Sequence, residues 1–231
     1  MFFKTPQGFY QAELLAQLGW LEHAFGTREV TLMDRRDVAT LRQVHSASAV
    51  EAVPGGGCSG QGDVLVASAP GARVGVKTAD CLPILLADER RRAVAAVHAG
   101  WRGTLLGVAS QAVLALVARY DSRPSDLRVA IGPAIGGCCY EVGPEVAVQF
   151  HALFRERHDL DTRTRIDLVE ANRRQLVSAG VPPDRICCAG LCTACQDGEF
   201  HSYRRDGERA GRMLSWVGIK HEGRGSKPAP L

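Results

Sequence analysis

The sequence predicts a mixed α/β fold in a single domain, and three observations carry that prediction. Four short Val- and Leu-rich runs follow one another between residues 63 and 98, each bounded by turn residues. The period then changes: from Thr104 to Tyr120 the stretch TLLGVASQAVLALVARY is apolar nearly all round and free of proline, as in a buried helix. Strand-like and helix-like runs go on alternating to residue 219, with no internal repeat and no linker. A chain of 231 residues with 45% hydrophobic content is long enough to bury one core of this kind.

In chain order, strands are expected at 63–67 (DVLVA), 73–78 (RVGVKT), 81–87 (CLPILLA) and 93–98 (AVAAVH). Between the last two, Asp88 to Arg92 reads as a solvated hairpin turn. Thr104 is a plausible N-cap for a helix to Tyr120 that tolerates Gly107. A strand follows at 128–132 (RVAIG), so residues 93–132 form a candidate βαβ unit with a right-handed crossover. Pro144, just after Gly143, suits the first position of a helix running through EVAVQFHALFRE. A further helix starts at the cap candidate Asp167 and stops at Gly180, with Pro182 and Pro183 beyond. Strands at 185–189 and 214–219 close a domain of residues 1–219, and residues 220–231 read as a disordered tail.

A formal net charge of +3, without a long Lys/Arg run or an aromatic-interleaved basic stripe, argues against a nucleic-acid partner. No stretch approaches the ~18 continuous apolar residues of a membrane span, and the N-terminus, MFFKTPQGFYQAELL, lacks the pattern of a leader, so a cytoplasmic protein without a membrane partner is expected. Eight cysteines, two pairs of them adjacent (Cys138–Cys139 and Cys187–Cys188), do not resemble the spaced framework of a small secreted protein. Reduced thiols and a metal site are the readings they favour.

Cys81 opens one predicted strand and His98 closes the next. If the two pair antiparallel across their short turn, thiol and imidazole share one end of the sheet. His45, in the strand-like LRQVHSASAV, is followed by small residues that leave space around its ring. A thiolate and two imidazoles make a sound zinc set with the fourth tetrahedral position open. After His98 the glycine-flanked Trp101–Arg102 turn leads into a helix N-terminus, a place that favours an anionic or strongly polar ligand.

The motifs QVHSASAV, GDVLVA, KTADCLPILLAD, AAVHAGWRGT, IGPAIGGCCYEVG and HSYRRDGERAGR, in this order over residues 41–219, resemble the YfiH/laccase-domain family, also called the multicopper polyphenol oxidase domain family. The resemblance implies a layered α-β-β-α sandwich with mixed sheets, and metal ligation by His45, Cys81 and His98. It also implies a zinc enzyme that takes a small-molecule nucleoside and phosphate, phosphorolysing adenosine, inosine, guanosine or methylthioadenosine and deaminating adenosine, with a link to peptidoglycan editing in bacterial members. Cys192–Thr193 is a family feature near the pocket. The stretch HAFGTREV is similar to the family's N-terminal motif and makes Arg28 a substrate-binding candidate, as Trp101 is on its own chemistry. Here the glycine pair after Arg28 is absent and the segment leading to His45 is short, which, if that segment covers the substrate in the family, implies a more open pocket or a different specificity; Ser46 and Gly137 stand where the family often has Gly and Pro.

Zinc held by two neutral imidazoles and a thiolate lowers the pKa of a bound water toward ~7, which provides a nucleophile for C6 of adenine. Asp80 or Glu141 is the candidate for moving protons. Phosphorolysis asks for guanidinium groups near phosphate, and Arg102, Arg42, Arg204 and Arg205 are the candidates.

Three other readings meet the same residues. A four-copper laccase needs on the order of ten histidine ligands, and this chain has seven histidines; a single blue-copper centre would need Met1, Met33 or Met213 as axial ligand, so copper is the less favoured metal. Cys81 as nucleophile with His98 as base would make a cysteine hydrolase suited to peptidoglycan fragments. Finally, Cys192-x-x-Cys195, with Cys187 and Cys188 upstream, could form a structural zinc knot or a redox pair, with Cys138 and Cys139 merely packing.

Overall fold

Two mixed sheets face each other, and helices cover one of them. The computed structural model of the chain describes residues 1–30 and 35–221. One sheet has seven strands in the spatial order Phe2–Lys4, Tyr10–Ala12, Leu21–Phe25, Met213–Ile219, Arg73–Thr78, Ala39–Arg42 and Gly57–Gln61; the first five alternate in direction and the last two add in parallel. The other has six, in the order Ile186–Cys188, Leu127–Ile131, Leu82–Asp88, Val94–Ala99, Val64–Ala67 and Ala49–Glu51, antiparallel in the middle and parallel at both edges. Glu141–Val142 and Thr164–Arg165 form a small separate ribbon.

The apolar runs of the six-stranded sheet are continuous because both of its faces are buried. Leu82, Ile84 and Leu86 pack with the helices Val108–Tyr120 and Leu168–Ser178, whereas Leu85 and Ala87 on the same strand pack with Val74, Val76 and Val217 of the facing sheet. The far face of the seven-stranded sheet carries a smaller cluster of Ala24, Val38, Leu214 and Trp216. This mixed α/β architecture with two mixed sheets is the class the sequence predicts. Among the described residues no helix is long and apolar enough to cross a membrane.

The hairpin at Asp88 is built as read, its Oδ1 accepting the amides of Arg90 and Arg91 at 2.8 and 2.9 Å. Asp167 caps its helix, accepting the Glu170 amide at 2.9 Å. The βαβ expectation holds in split form: Val94–Ala99 and Leu127–Ile131 both pair antiparallel with Leu82–Asp88, which lies between them.

Four expectations shift. Helix formation begins at Trp101, and Gly107, at φ 77°, divides Trp101–Leu105 from Val108–Tyr120; only glycine turns the chain there without strain. Thr104 is therefore no cap but a buried residue whose hydroxyl accepts from Asn172 at 2.9 Å. The helix after Gly143 covers only Pro144–Ala147, passing into the tighter turn Val148–Phe150, which brings Phe150 and Phe154 into the core. Of the expected tail, Lys220 is bound through its amide to Trp20 O at 2.9 Å, while residues 222–231 lie outside the described residues.

His23 lies buried in the strand Leu21–Phe25, and its Nε2 accepts the Ala12 amide at 2.9 Å. Burial pushes its pKa down to about 4, against about 6.5 in an unfolded chain. The unfolded state thus binds the extra proton first. The contribution of the neutral ring is fully present above pH 6.5 and is lost as pH falls toward 4, at most about 3 kcal/mol. Denaturant melts between pH 7 and 4.5 should show His23→Gln, which keeps an acceptor but cannot titrate, losing less stability than wild type; parallel losses would rule His23 out as the cause.

Candidate functional site

At one end of the sandwich, three chain segments bring their side chains together. The strand Val94–Ala99 sends Val94 and Ala96 into the layer between the sheets, and by the same alternation His98 follows them. Its neighbour Leu82–Asp88 runs antiparallel, with His98 opposite Pro83 and Ala99 opposite Leu82, which sets Cys81 beside Gly100. His45 is not on a strand as expected; it occupies the turn between Ala39–Arg42 and Ala49–Glu51, at φ 59°. The donor atoms of His45, Cys81 and His98 lie within 4.8 Å of one another. The two rings meet edge to face with centroids 5.0 Å apart.

Asp63, fully buried, holds this arrangement. Its Oδ1 accepts from His98 Nδ1 at 2.8 Å and from the His45 amide at 3.1 Å. Its Oδ2 accepts from the Ser46 amide at 2.6 Å, the Ser46 hydroxyl at 2.8 Å and the Val44 amide at 3.3 Å. The left-handed backbone at His45 is what turns three successive amides onto one carboxylate. Because a carboxylate only accepts, Nδ1 of His98 carries the proton and Nε2 is left as the ligand atom.

The charges follow from these contacts. Burial alone would raise the Asp63 pKa, but the bonds from His98 and Ser46 bring it down to about 2. Burial would likewise raise Cys81, yet hydrogen bonds from His45 and His98 outweigh it and hold the thiol at about 6. For His98 burial works downward, and Asp63, then Cys81, carry it up to about 9. Without a cation this is a thiolate–imidazolium pair.

The three donors also fit a metal. Two imidazole nitrogens and a thiolate suit Zn²⁺ with one position open, and Gly100 leaves the space such a cradle needs: a Cβ on it would stand 3.0 Å from Cys81 Sγ and 3.0 Å from His45 Cδ2. Gly100 has φ −79°, so alanine there strains no backbone. Gly100→Ala is expected to fold with little change in melting temperature while weakening zinc binding about tenfold, since the ligands must give way. Competition against a chelator reads this directly, and unchanged affinity would mean the cradle has slack.

The donors open into a cavity of about 740 Å³, within the range of small-molecule sites. Its lining includes Lys77 and Thr78 from the seven-stranded sheet, Gln43 just after the strand Ala39–Arg42, the aromatic rings of Trp101, Tyr140 and Tyr203, and the cations Arg204 and Arg212. Of the residues singled out from sequence, His45, Asp80, Cys81, His98, Trp101 and Arg204 line it. Asp80 has both oxygens committed, to the Thr193 hydroxyl and the Arg204 amide, each at 2.6 Å.

The other candidates lie outside that lining. Arg205 forms a two-point pair with Asp206 at 2.8 and 2.7 Å and donates to the carbonyls of Thr193 and Phe200. Glu141 is exposed and faces Arg163. Arg102 stacks on the Trp101 ring at 4.3 Å. Arg28 is bound to the Asp197 carbonyl and Arg42 to Gln61. Sequence reasoning missed Asp63, Lys77, Tyr140, Tyr203 and Arg212 as site residues; for Asp63 the available signal was an acid opening the otherwise apolar strand run DVLVA.

Comparison with known proteins shows which family this chain belongs to. A family model described as "Multi-copper polyphenol oxidoreductase laccase" matches residues 24–220. A protein of Deinococcus radiodurans named purine nucleoside phosphorylase is 40% identical over 185 residues, 79% of this chain and 70% of that one. One named adenosine deaminase RL5, from an unknown prokaryotic organism, is 38% identical over 161 residues; the match covers 67% of this chain and 61% of that protein, less than two thirds of its length. The crystal structure of YlmD from Geobacillus stearothermophilus superposes with a TM-score of 0.87 at 27% identity, covering 95% of this chain and 99% of that one. With a match that spans His45, Cys81, His98 and the whole cavity wall, the chain belongs to the multi-copper polyphenol oxidoreductase laccase family.

Proposed function

We propose that this protein is a zinc-dependent purine nucleoside enzyme, acting by phosphorolysis of adenosine, inosine, guanosine or methylthioadenosine and by deamination of adenosine. The observation that carries this reading is the convergence of an N₂S donor set with aromatic faces and cationic groups in one cavity. The names of the two relatives support it.

His45, Cys81 and His98 would hold Zn²⁺, which supplies Lewis acidity and a water of lowered pKa in its open position. Asp63 keeps the proton on Nδ1 of His98. Trp101, Tyr140 and Tyr203 offer faces to a purine ring. Burial, ahead of the negative charge at Cys81, pushes the Tyr140 phenol up to about 12, so it keeps its proton and can donate a hydrogen bond at neutral pH. Lys77, Arg204 and Arg212 are the cations available to phosphate. Asp80 acts on Arg204 by fixing its backbone, which makes it a positioning residue. In phosphorolysis a phosphate oxygen bonds to C1′ of the ribose as the bond to the purine nitrogen breaks, and the purine leaves with the electron pair. In deamination the oxygen of water bonds to C6, the bond from C6 to the amino nitrogen breaks, and the amino group leaves with a proton as ammonia.

Zinc is favoured over copper by the cavity wall. Met1 is exposed and Met213 is buried in its strand; neither lines the cavity, and Met33 lies outside the described residues. The weak axial thioether of a blue-copper site is thus missing among the described residues. The depressed Cys81 thiol beside His98 favours one second reading, a cysteine hydrolase.

The test is product analysis by mass spectrometry on zinc-loaded protein with adenosine, with and without phosphate, beside Cys81→Ala. Adenine plus ribose 1-phosphate that requires phosphate, or inosine that does not, is expected from wild type and absent from the variant. A folded, metal-replete protein that forms neither product would overturn the reading.

A further inference from the structure

The second group of thiols is assembled differently from what spacing suggests. Cys187 and Cys188 lie on the edge strand Ile186–Cys188, paired with Leu127–Ile131. Cys192 and Cys195 turn instead toward Cys138 and Cys139, and the sulfurs of these four lie within 4.8 Å of one another. Cys139 Sγ is 3.3 Å and Cys138 Sγ 3.6 Å from Cys195 Sγ. A tetrahedral ion with metal–sulfur bonds of about 2.3 Å holds its sulfurs about 3.8 Å apart. Four side chains from two loops therefore already stand at nearly the separation that one ion imposes.

The backbone around them is arranged for the same purpose. The two loops are tied at their base, Ala134 N donating to Leu191 O at 3.2 Å and Thr193 N to Ala134 O at 3.0 Å. The Gly136 amide donates to Cys192 Sγ at 3.3 Å, a bond that favours the thiolate. A Cβ on Gly136 would stand 3.2 Å from Cys138 Sγ and 3.6 Å from Cys192 Sγ, so the missing side chain leaves the sulfurs their room. Exposure argues against a simple packing role: Cys138 and Cys195 are exposed, where a thiol gains nothing from burial.

We propose that Cys138, Cys139, Cys192 and Cys195 form a second metal site, a tetrathiolate centre for Zn²⁺. An all-thiolate tetrahedral set selects this soft-ligand chemistry, and with no open position the site is structural. Four thiolates around Zn²⁺ leave a net charge of −2. Arg204 donates to Cys139 O at 3.2 Å, which brings a cation alongside, while Arg205, paired with Asp206, ties the other loop through Thr193 O at 3.0 Å. The ion would pin the cavity wall, because Ile135 and Tyr140 border it on one loop and Thr193 holds Asp80 from the other. The inference stands apart from the reaction proposed above.

Metal analysis of the purified full chain tests it. Cys192→Ser/Cys195→Ser should hold one zinc fewer per chain than wild type, and Cys81→Ser should keep that zinc. Should the double variant fail to fold, peptide mapping of alkylation on wild type decides: Cys138 and Cys195, though exposed, should react at least about 100-fold faster once a chelator is added. Equal zinc in wild type and the double variant, equal alkylation before and after chelation, or recovery of these four cysteines as disulfides from reduced cells would each overturn the proposal.

Discussion

Asp63→Asn should lower the melting temperature by about 6–12 °C and weaken zinc binding at the His45–Cys81–His98 centre by about 10- to 100-fold. The carboxylate is fully buried and accepts five donors: His98 Nδ1, the amides of Val44, His45 and Ser46, and the Ser46 hydroxyl. An asparagine of the same shape has one acceptor oxygen and one NH₂, so whichever way it lies, a donor faces donors. Opening a buried, charge-assisted network in this way costs about 3 kcal/mol, and in a chain of this size each kcal/mol moves the melting temperature by about 2–4 °C. The metal effect arises separately, from the freedom given to His98 and to the turn that carries His45. Calorimetry on metal-free protein isolates the first effect and chelator competition the second. Wild-type values in both would mean that Asp63 does not hold the centre.

The two strands that bring Cys81 and His98 together were legible because their pairing is local. A short turn with an acid at its first corner leaves an antiparallel hairpin as the simple solution, and the register follows from the turn. His45 was legible as a residue type but not as a turn, since its left-handed backbone is stabilised by Asp63, 18 residues on, and not by its neighbours. Short strands such as Phe2–Lys4 and Tyr10–Ala12 escaped notice: three residues carry too little alternation to register. Arg204 and Arg205 are indistinguishable in sequence, yet the helical turn Tyr203–Asp206 sends one over the Tyr140 ring at 5.2 Å and commits the other to Asp206. The cysteine group failed for the opposite reason. Cys187 and Cys188 are near Cys192 along the chain, whereas Cys138 and Cys139 reach it only through the parallel bridge between Ala134 and Cys192.

The largest contrast should come from Cys81 itself. In metal-free protein its thiol, held at about 6, is about nine-tenths thiolate at pH 7, against a few per cent for an ordinary cysteine. The sign is that of a depressed acid: alkylation of Cys81 should be nearly constant above pH 7 and fall away below about 6. Zinc should abolish this reactivity, slowing alkylation at pH 7 by about 100-fold or more, because the lone pair that attacks the reagent is the one given to the metal. A nucleophilic Cys81 would behave otherwise, reacting as fast in the loaded protein as in the stripped one. Substitution separates the two roles further. Cys81→Asp retains an anionic zinc ligand and should keep measurable metal binding with part of the turnover, whereas Cys81→Ala should lose both by about 10³-fold. A hydrolase that attacks through sulfur gains nothing from the carboxylate, so equal loss in the two variants, together with fast alkylation of zinc-loaded wild type, would move Cys81 from ligand to nucleophile.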